Sequence, residues 1–238
     1  MTNTTHLKLP LIAAAQAQKH VTMNEALARI DAALHLSAIS RSITNPPSAA
    51  QDGDTYLVAD GAAEDWLGQT SLLAVFLNGG WEFLSPQIGW SVFIQDEAVK
   101  VTFDGTSWRS NILSLSRGGA ATRTEVIEID HVFSAAPAVS ETTPLIPAGC
   151  SVLAVTGRVL SGFDGDATDW SLGVDGAETR YGSGYGVDTG AFLKGVTGQP
   201  VAYYEDTPLR ITAATGALGS GVVRLCAHTI QFDLPDPL

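Results

Sequence analysis

The feature that most limits what this chain can fold into is how often its apolar runs are broken. Twenty-four glycines and eleven prolines punctuate 238 residues, of which 45% are hydrophobic. Such interruption favours many short strands joined by turns over long helices. The length suffices for one large or two small domains with a real core. Charged residues make up only 16%, so the chain is not a disordered tail. The expected class is mainly β.

Residues 50–112 sharpen that expectation with a degenerate repeat. A β-prone run meets Asp-Gly or Asn-Gly and is followed by a tryptophan: Tyr56 to Gly61 with Trp66, Val75 to Gly79 with Trp81, and Val101 to Gly105 with Trp108. Asn-Gly and Asp-Gly accept the positive φ angles of tight hairpin turns, so each copy reads as a hairpin. A two-residue turn at Asn78-Gly79 places Phe76 opposite Trp81, a pair that stabilises a small sheet by ~0.5–1 kcal/mol. Gly89-Trp90 opens a further strand over residues 91–95. The tryptophans read mainly as core, with a sugar-lining role as the alternative.

Upstream, residues 8–41 read as helical. Pro10 suits a first helical position, and residues 11–19 are rich in Ala and Gln. Thr22 and Glu25 have capping-box spacing. Met23, Leu27, Ile30 and Leu34 then recur at spacings of four and three, which sets one apolar seam along the helix. The seam reads either as an oligomerising or anchoring surface, or as a face packed on its own domain. Barely two heptads is short for a coiled coil.

Residues 113–124 lose periodicity and gain Gly and Ser, as a linker does. Beyond them strands follow one another at sandwich spacing. The organisation expected is a helical segment over 1–45, a small antiparallel hairpin domain over 46–112, a linker over 113–124 and a jelly-roll-like β-sandwich over 125–238.

Within that last region, residues 162–187 mix glycines with Asp164, Asp166, Asp169, Trp170, Asp175, Arg180, Tyr181 and Tyr185. Sugar recognition uses such a mix: an aromatic face packs on the apolar side of a pyranose while carboxylates and Arg bond its hydroxyls. Tyr203 and Tyr204, with Glu205 and Asp206, form a second patch of this kind. The same composition also suits solvated turns with rim-packed tyrosines. Asp164-Gly165-Asp166 with Asp169 matches a helical calcium loop only in part, because the third ligand is misplaced and the closing Glu is absent.

Composition excludes some functions. A formal charge of −12 argues against a nucleic-acid partner. No apolar segment is long enough to cross a bilayer, and no secretory leader pattern opens the sequence, so a cytoplasmic protein is expected. Two cysteines, Cys150 and Cys226, are too few for a disulfide scaffold and read as buried thiols, with later pairing as the alternative. The five histidines lie singly, no nucleophile elbow occurs in a strand-to-helix context, and no metal or cofactor is called for. A non-enzymatic protein is expected.

One run is distinctive in its word order: Leu7-Lys8-Leu9-Pro10-Leu11-Ile12-Ala13-Ala14-Ala15-Gln16-Ala17-Gln18-Lys19-His20-Val21-Thr22-Met23-Asn24-Glu25-Ala26-Leu27. It resembles the start of spike and tail-fibre proteins of alphaproteobacterial prophages and gene transfer agents. The resemblance continues in residues 170–174 (Trp-Ser-Leu-Gly-Val), 181–184 (Tyr-Gly-Ser-Gly) and 203–212, so it spans most of the chain. It implies a head-spike or tail-fibre component on the exterior of a phage-like particle. Such a component forms a homo-oligomer, often a trimer, contacts other particle proteins and attaches to capsular or surface polysaccharide of a bacterial host. A glycan-degrading depolymerase and an architectural collar without ligand are the rival readings.

Overall fold

Asn78 and Gly79 adopt φ of 53° and 82°, and the strands they join pair Phe76 with Trp81. The two rings meet edge-on at 5.0 Å, so the hairpin expected from sequence forms with its cross-strand pair. The computed structural model describes residues 3–12, 19–136 and 138–237. Contacts divide the chain into two units, Met1–Ile112 and Leu113–Leu238.

The first unit contains helix α1 (Lys19–Leu34) and strands β1 (Ser37–Ala38), β2 (Thr55–Leu57), β3 (Leu73–Leu77), β4 (Gly80–Leu84), β5 (Ser91–Ile94), β6 (Val99–Phe103) and β7 (Trp108–Ser110). They form a β2-β3-β4 sheet and a β1-β5-β6-β7 sheet. The period of two along β2 and β3 sends Leu57 and Leu73 into a core with Val92, Ile94 and Val101. Their neighbours Tyr56 and Ala74 turn to a second cluster around Trp66. There Trp66 meets Trp81 at 5.1 Å and Tyr56 at 5.5 Å. These two indoles serve packing.

Three expectations for this unit are corrected. The first Asp-Gly copy is not a hairpin, because a 3₁₀ turn at Glu64–Trp66 carries the chain from β2 to β3. The third copy does form the expected hairpin, β6 with β7, closed by four residues in which the Asp104 carboxylate accepts from the Thr106 and Ser107 amides, both at 2.8 Å. The helix is shorter than residues 8–41. Pro10 bridges to Asn3 in an extended strap, residues 13–18 lie outside the described set, and Ser37–Ala38 pairs parallel with β5. Thr22 lies inside α1, so the capping-box spacing caps nothing.

The second unit comprises β8 (Ile112–Leu115), β9 (Ala121–Ala136), β10 (Val139–Ile146), β11 (Cys150–Ser161), β12 (Trp170–Gly173), β13 (Phe192–Ala202), β14 (Thr207–Ala213) and β15 (Gly219–Asp233). Residues 113–124, read as a linker, supply most of β8 and the start of β9. A five-stranded sheet in the order β13-β11-β15-β9-β8 packs on a three-stranded sheet in the order β10-β14-β12. The mainly β, sandwiched architecture matches the class expected from the turn spacing, with its strands divided five and three.

Alternation along β15 is regular: Val223, Leu225, Ala227 and Thr229 are buried, and the residues between them face outward. Cys150 is buried in the core. Cys226 lies on the outward side of β15, opposite Thr156. Both thiols are free.

Candidate functional site

Helix α1 is held by one side. Asp31 is buried and accepts hydrogen bonds from Thr4 Oγ1 at 2.8 Å and from the His6 and Leu7 amides at 2.8 and 2.6 Å. Burial opposes the Asp31 charge, but these bonds outweigh it and hold the carboxyl below the usual range. Asn24, two turns earlier, binds the amide and carbonyl of Ile12. Arg29 reaches Glu82 on β4 at 3.2 Å. The sequence-predicted seam is turned away from these anchors: Met23, Ile30 and Leu34 are 48%, 51% and 59% exposed, and Leu27 is half-buried. The helix therefore satisfies its own unit with one face and leaves a second, apolar face outward.

Residues 162–187 are less loop-like than their composition suggests. Trp170 opens β12 and is 1% exposed. Its Nε1 donates to the Gly186 carbonyl at 2.9 Å, and its ring lies 5.3 Å from Tyr185 and 5.7 Å from Phe163. The segment 181–185 runs beside β12, with Tyr181 donating to Leu172 at 2.9 Å and Tyr185 to Trp170 at 3.0 Å. Tyr181 is buried, and its hydroxyl shares a 2.6 Å hydrogen bond with the hydroxyl of buried Tyr203. Burial, then the bond to Tyr203, pushes the Tyr181 hydroxyl pKa upward. Half-buried Tyr185 donates its hydroxyl to the Tyr181 carbonyl. Trp170, Tyr181 and Tyr203 thus turn no ring face to solvent, which corrects their reading as a sugar platform.

The paired aspartates have structural partners too. Asp164 accepts from the Ser220 amide and Asp166 from the Ala217 amide. Between them Gly165 lies so close to the β14–β15 turn that a Cβ there would stand 2.1 Å from the Ala217 carbonyl. Asp-Gly-Asp is a clamp on that turn. Among the described residues, no group of three or more His, Cys, Asp or Glu side chains is arranged to hold a metal.

Of the candidate sugar-contacting aromatics, Tyr204 is the open one, at 87% exposure. Arg180 is exposed and Asp169 half-exposed. Next to Tyr204, Asp206 accepts from the Ala148 amide at 2.8 Å, fixing the turn that displays the ring. Asp175 instead joins Glu141 around Arg210, at 2.6 and 2.7 Å.

Sequence reasoning missed the outward face of the five-stranded sheet, where Val126, Val132, Phe192 and Val196 are exposed beside ionised groups. A signal was present: β9 carries apolar residues on both sides of its alternation. No helix among the described residues is long and apolar enough to cross a membrane.

Residues 23–109 match a family described as a protein of unknown function, DUF2793. No curated protein matches the chain. Among solved structures, a chain of the cyanophage Pam1 capsid asymmetric unit is similar, at 21% identity and a TM-score of 0.36. The match covers 55% of this chain and 97% of that one.

Proposed function

We propose that this chain is a non-enzymatic, self-associating structural subunit of a phage-like particle, of the head-spike or tail-fibre kind, that meets a bacterial host's surface polysaccharide. The observation that carries the proposal is the two-sided helix α1, anchored through Asn24 and Asp31 and presenting Met23, Ile30 and Leu34 outward. A helix already satisfied by its own unit has no internal use for a second apolar face. The resemblance carried by residues 7–27, 170–174 and 203–212 supports the particle context.

Host contact falls to Tyr204, with Glu205 beside it in sequence, and to Arg180 and Asp169. So small a set binds weakly, and repetition of subunits raises it by avidity. A second reading, a subunit that is purely architectural, is favoured by the burial of Trp170, Tyr181 and Tyr203. The main-chain partners of Asp164 and Asp166 support a non-catalytic role; release of reducing ends from purified capsule would refute it.

Labelled protein added to host cells with and without capsule separates the two main readings. Capsule-dependent binding that weakens in Tyr204→Ala supports the receptor-binding subunit; absence of binding to either cell type favours the architectural one. In parallel, Ile30→Asp with Leu34→Asp should reduce the sedimenting mass of the assembled protein while leaving its circular dichroism unchanged. An unchanged mass removes the seam from the argument.

A further inference from the structure

We infer that the outward face of the five-stranded sheet is a docking surface for another copy of this chain, with the β9 side of one copy meeting the β13–β11 side of the next. The inference deepens the particle-subunit reading and rests on it for self-association alone.

Register defines the face. Paired residues in an antiparallel ladder point to the same side of a sheet. Lys194 pairs with Thr156, Thr156 with Cys226, and Cys226 with Glu128, forming one row across β13, β11, β15 and β9. The next row runs from Phe192 through Arg158 and Arg224 to Asp130. Cations thus stand toward one side of the face and carboxylates toward the other.

The charges are unequally satisfied within a copy. Arg224 grips Asp130 through two hydrogen bonds of 2.6 and 2.7 Å and reaches Glu128 at 3.4 Å, so one guanidinium serves two carboxylates. Across the sheet, Arg158 donates to the Gly190 carbonyl at 3.0 Å. Lys194 enters no ion pair among the described residues. One side keeps surplus negative charge and the other surplus positive charge, on opposite sides of four adjacent strands.

Size and polarity suit the same occupant. Exposed Val126 and Val132 lie on β9, and exposed Phe192 and Val196 on β13. Four strands at ~4.8 Å spacing, over the ~24 Å where all of them pair, present a flat area of about 460 Å². That is a little over half of the ~800 Å² each partner contributes to a standard interface, the size of a weak, reversible contact.

Self-complementarity selects the partner. A two-fold axis parallel to the strands sets β9 of one copy over β13 of the other, carboxylate to cation, and a closed ring that repeats the β9-to-β13 contact does likewise. A two-fold axis across the strands would set β9 on β9 and is opposed by like charge.

The test is sedimentation velocity on the full chain and three variants, Glu128→Lys, Lys194→Glu and the double swap, with thermal melts to confirm folding. The parent should associate, each single swap should weaken association about tenfold, and the double swap should recover most of it. Single swaps that leave association intact, or a double swap no better than the worse single one, overturn the inference. If assembly depends on Ile30 and Leu34 alone, the subunit reading survives and this face does not. A parent that stays monomeric at every concentration overturns both.

Discussion

Replacing Trp170 with alanine tests whether its indole belongs to the core or to a ligand. The ring is 1% exposed and lies between Phe163 and Tyr185, with its N–H committed to the Gly186 carbonyl at 2.9 Å. Truncating a tryptophan in such a place costs ~3–5 kcal/mol, the lost transfer energy plus the cavity left behind. At ~3 °C for each kcal/mol in a domain of this size, the melting transition of the second unit should fall by about 10–15 °C. Calorimetry of the purified protein reads this directly, and Trp170→Phe should recover about half of the loss by refilling part of the space. The reasoning is refuted if Trp170→Ala melts within about 2 °C of the parent while its binding to host cells disappears. The ring would then be doing its work at the surface.

A double-mutant cycle on the tyrosine pair should show coupling: Tyr181→Phe and Tyr203→Phe should each cost ~1–2 kcal/mol in urea unfolding by orphaning the other hydroxyl, and the double variant should cost less than their sum. Asp31 has a folded pKa below its unfolded value near 4, so its stabilising effect is complete above that value and fades as pH falls through the folded pKa. Protection of the His6 and Leu7 amides, taken against their intrinsic exchange rates, should accordingly fall below pH ~4, and Asp31→Asn should show that loss of protection at neutral pH. Gly79→Ala meets open space but a φ of 82°, so strain alone should destabilise the first unit by about 1–2 kcal/mol in urea unfolding.

What could be read from sequence followed from how local the cause was. Asn78-Gly79 dictates its own turn, and the alternation of β15 dictates its own two faces, so hairpin and sandwich were both legible. The seam of α1 was legible as a spacing, but which side the unit would claim depended on Asp31 catching a strap some 25 residues upstream. Pro10 misled for the same reason: its fixed φ serves an extended bridge to Asn3 as well as a first helical turn. The glycan reading of Trp170 and Tyr181 rested on composition, and composition is equal for a solvated loop and for a buried strand. All four residues of β12 are buried, so no alternation was there to reveal it. The segment 181–185 covers that strand through hydrogen bonds between residues whose pairing no short-range pattern announces.

The placement of Cys150 in the core and Cys226 on the outward side of β15 bears on where this protein can mature. With a sheet between them the two sulfurs are not partners, so the sandwich has no oxidised form to wait for and no reducible crosslink to lose. Within one chain, then, neither reduction nor oxidation has a crosslink to break or make. Unfolding midpoints measured with and without reductant should therefore coincide, and a chain so built can fold in one redox environment and serve in another.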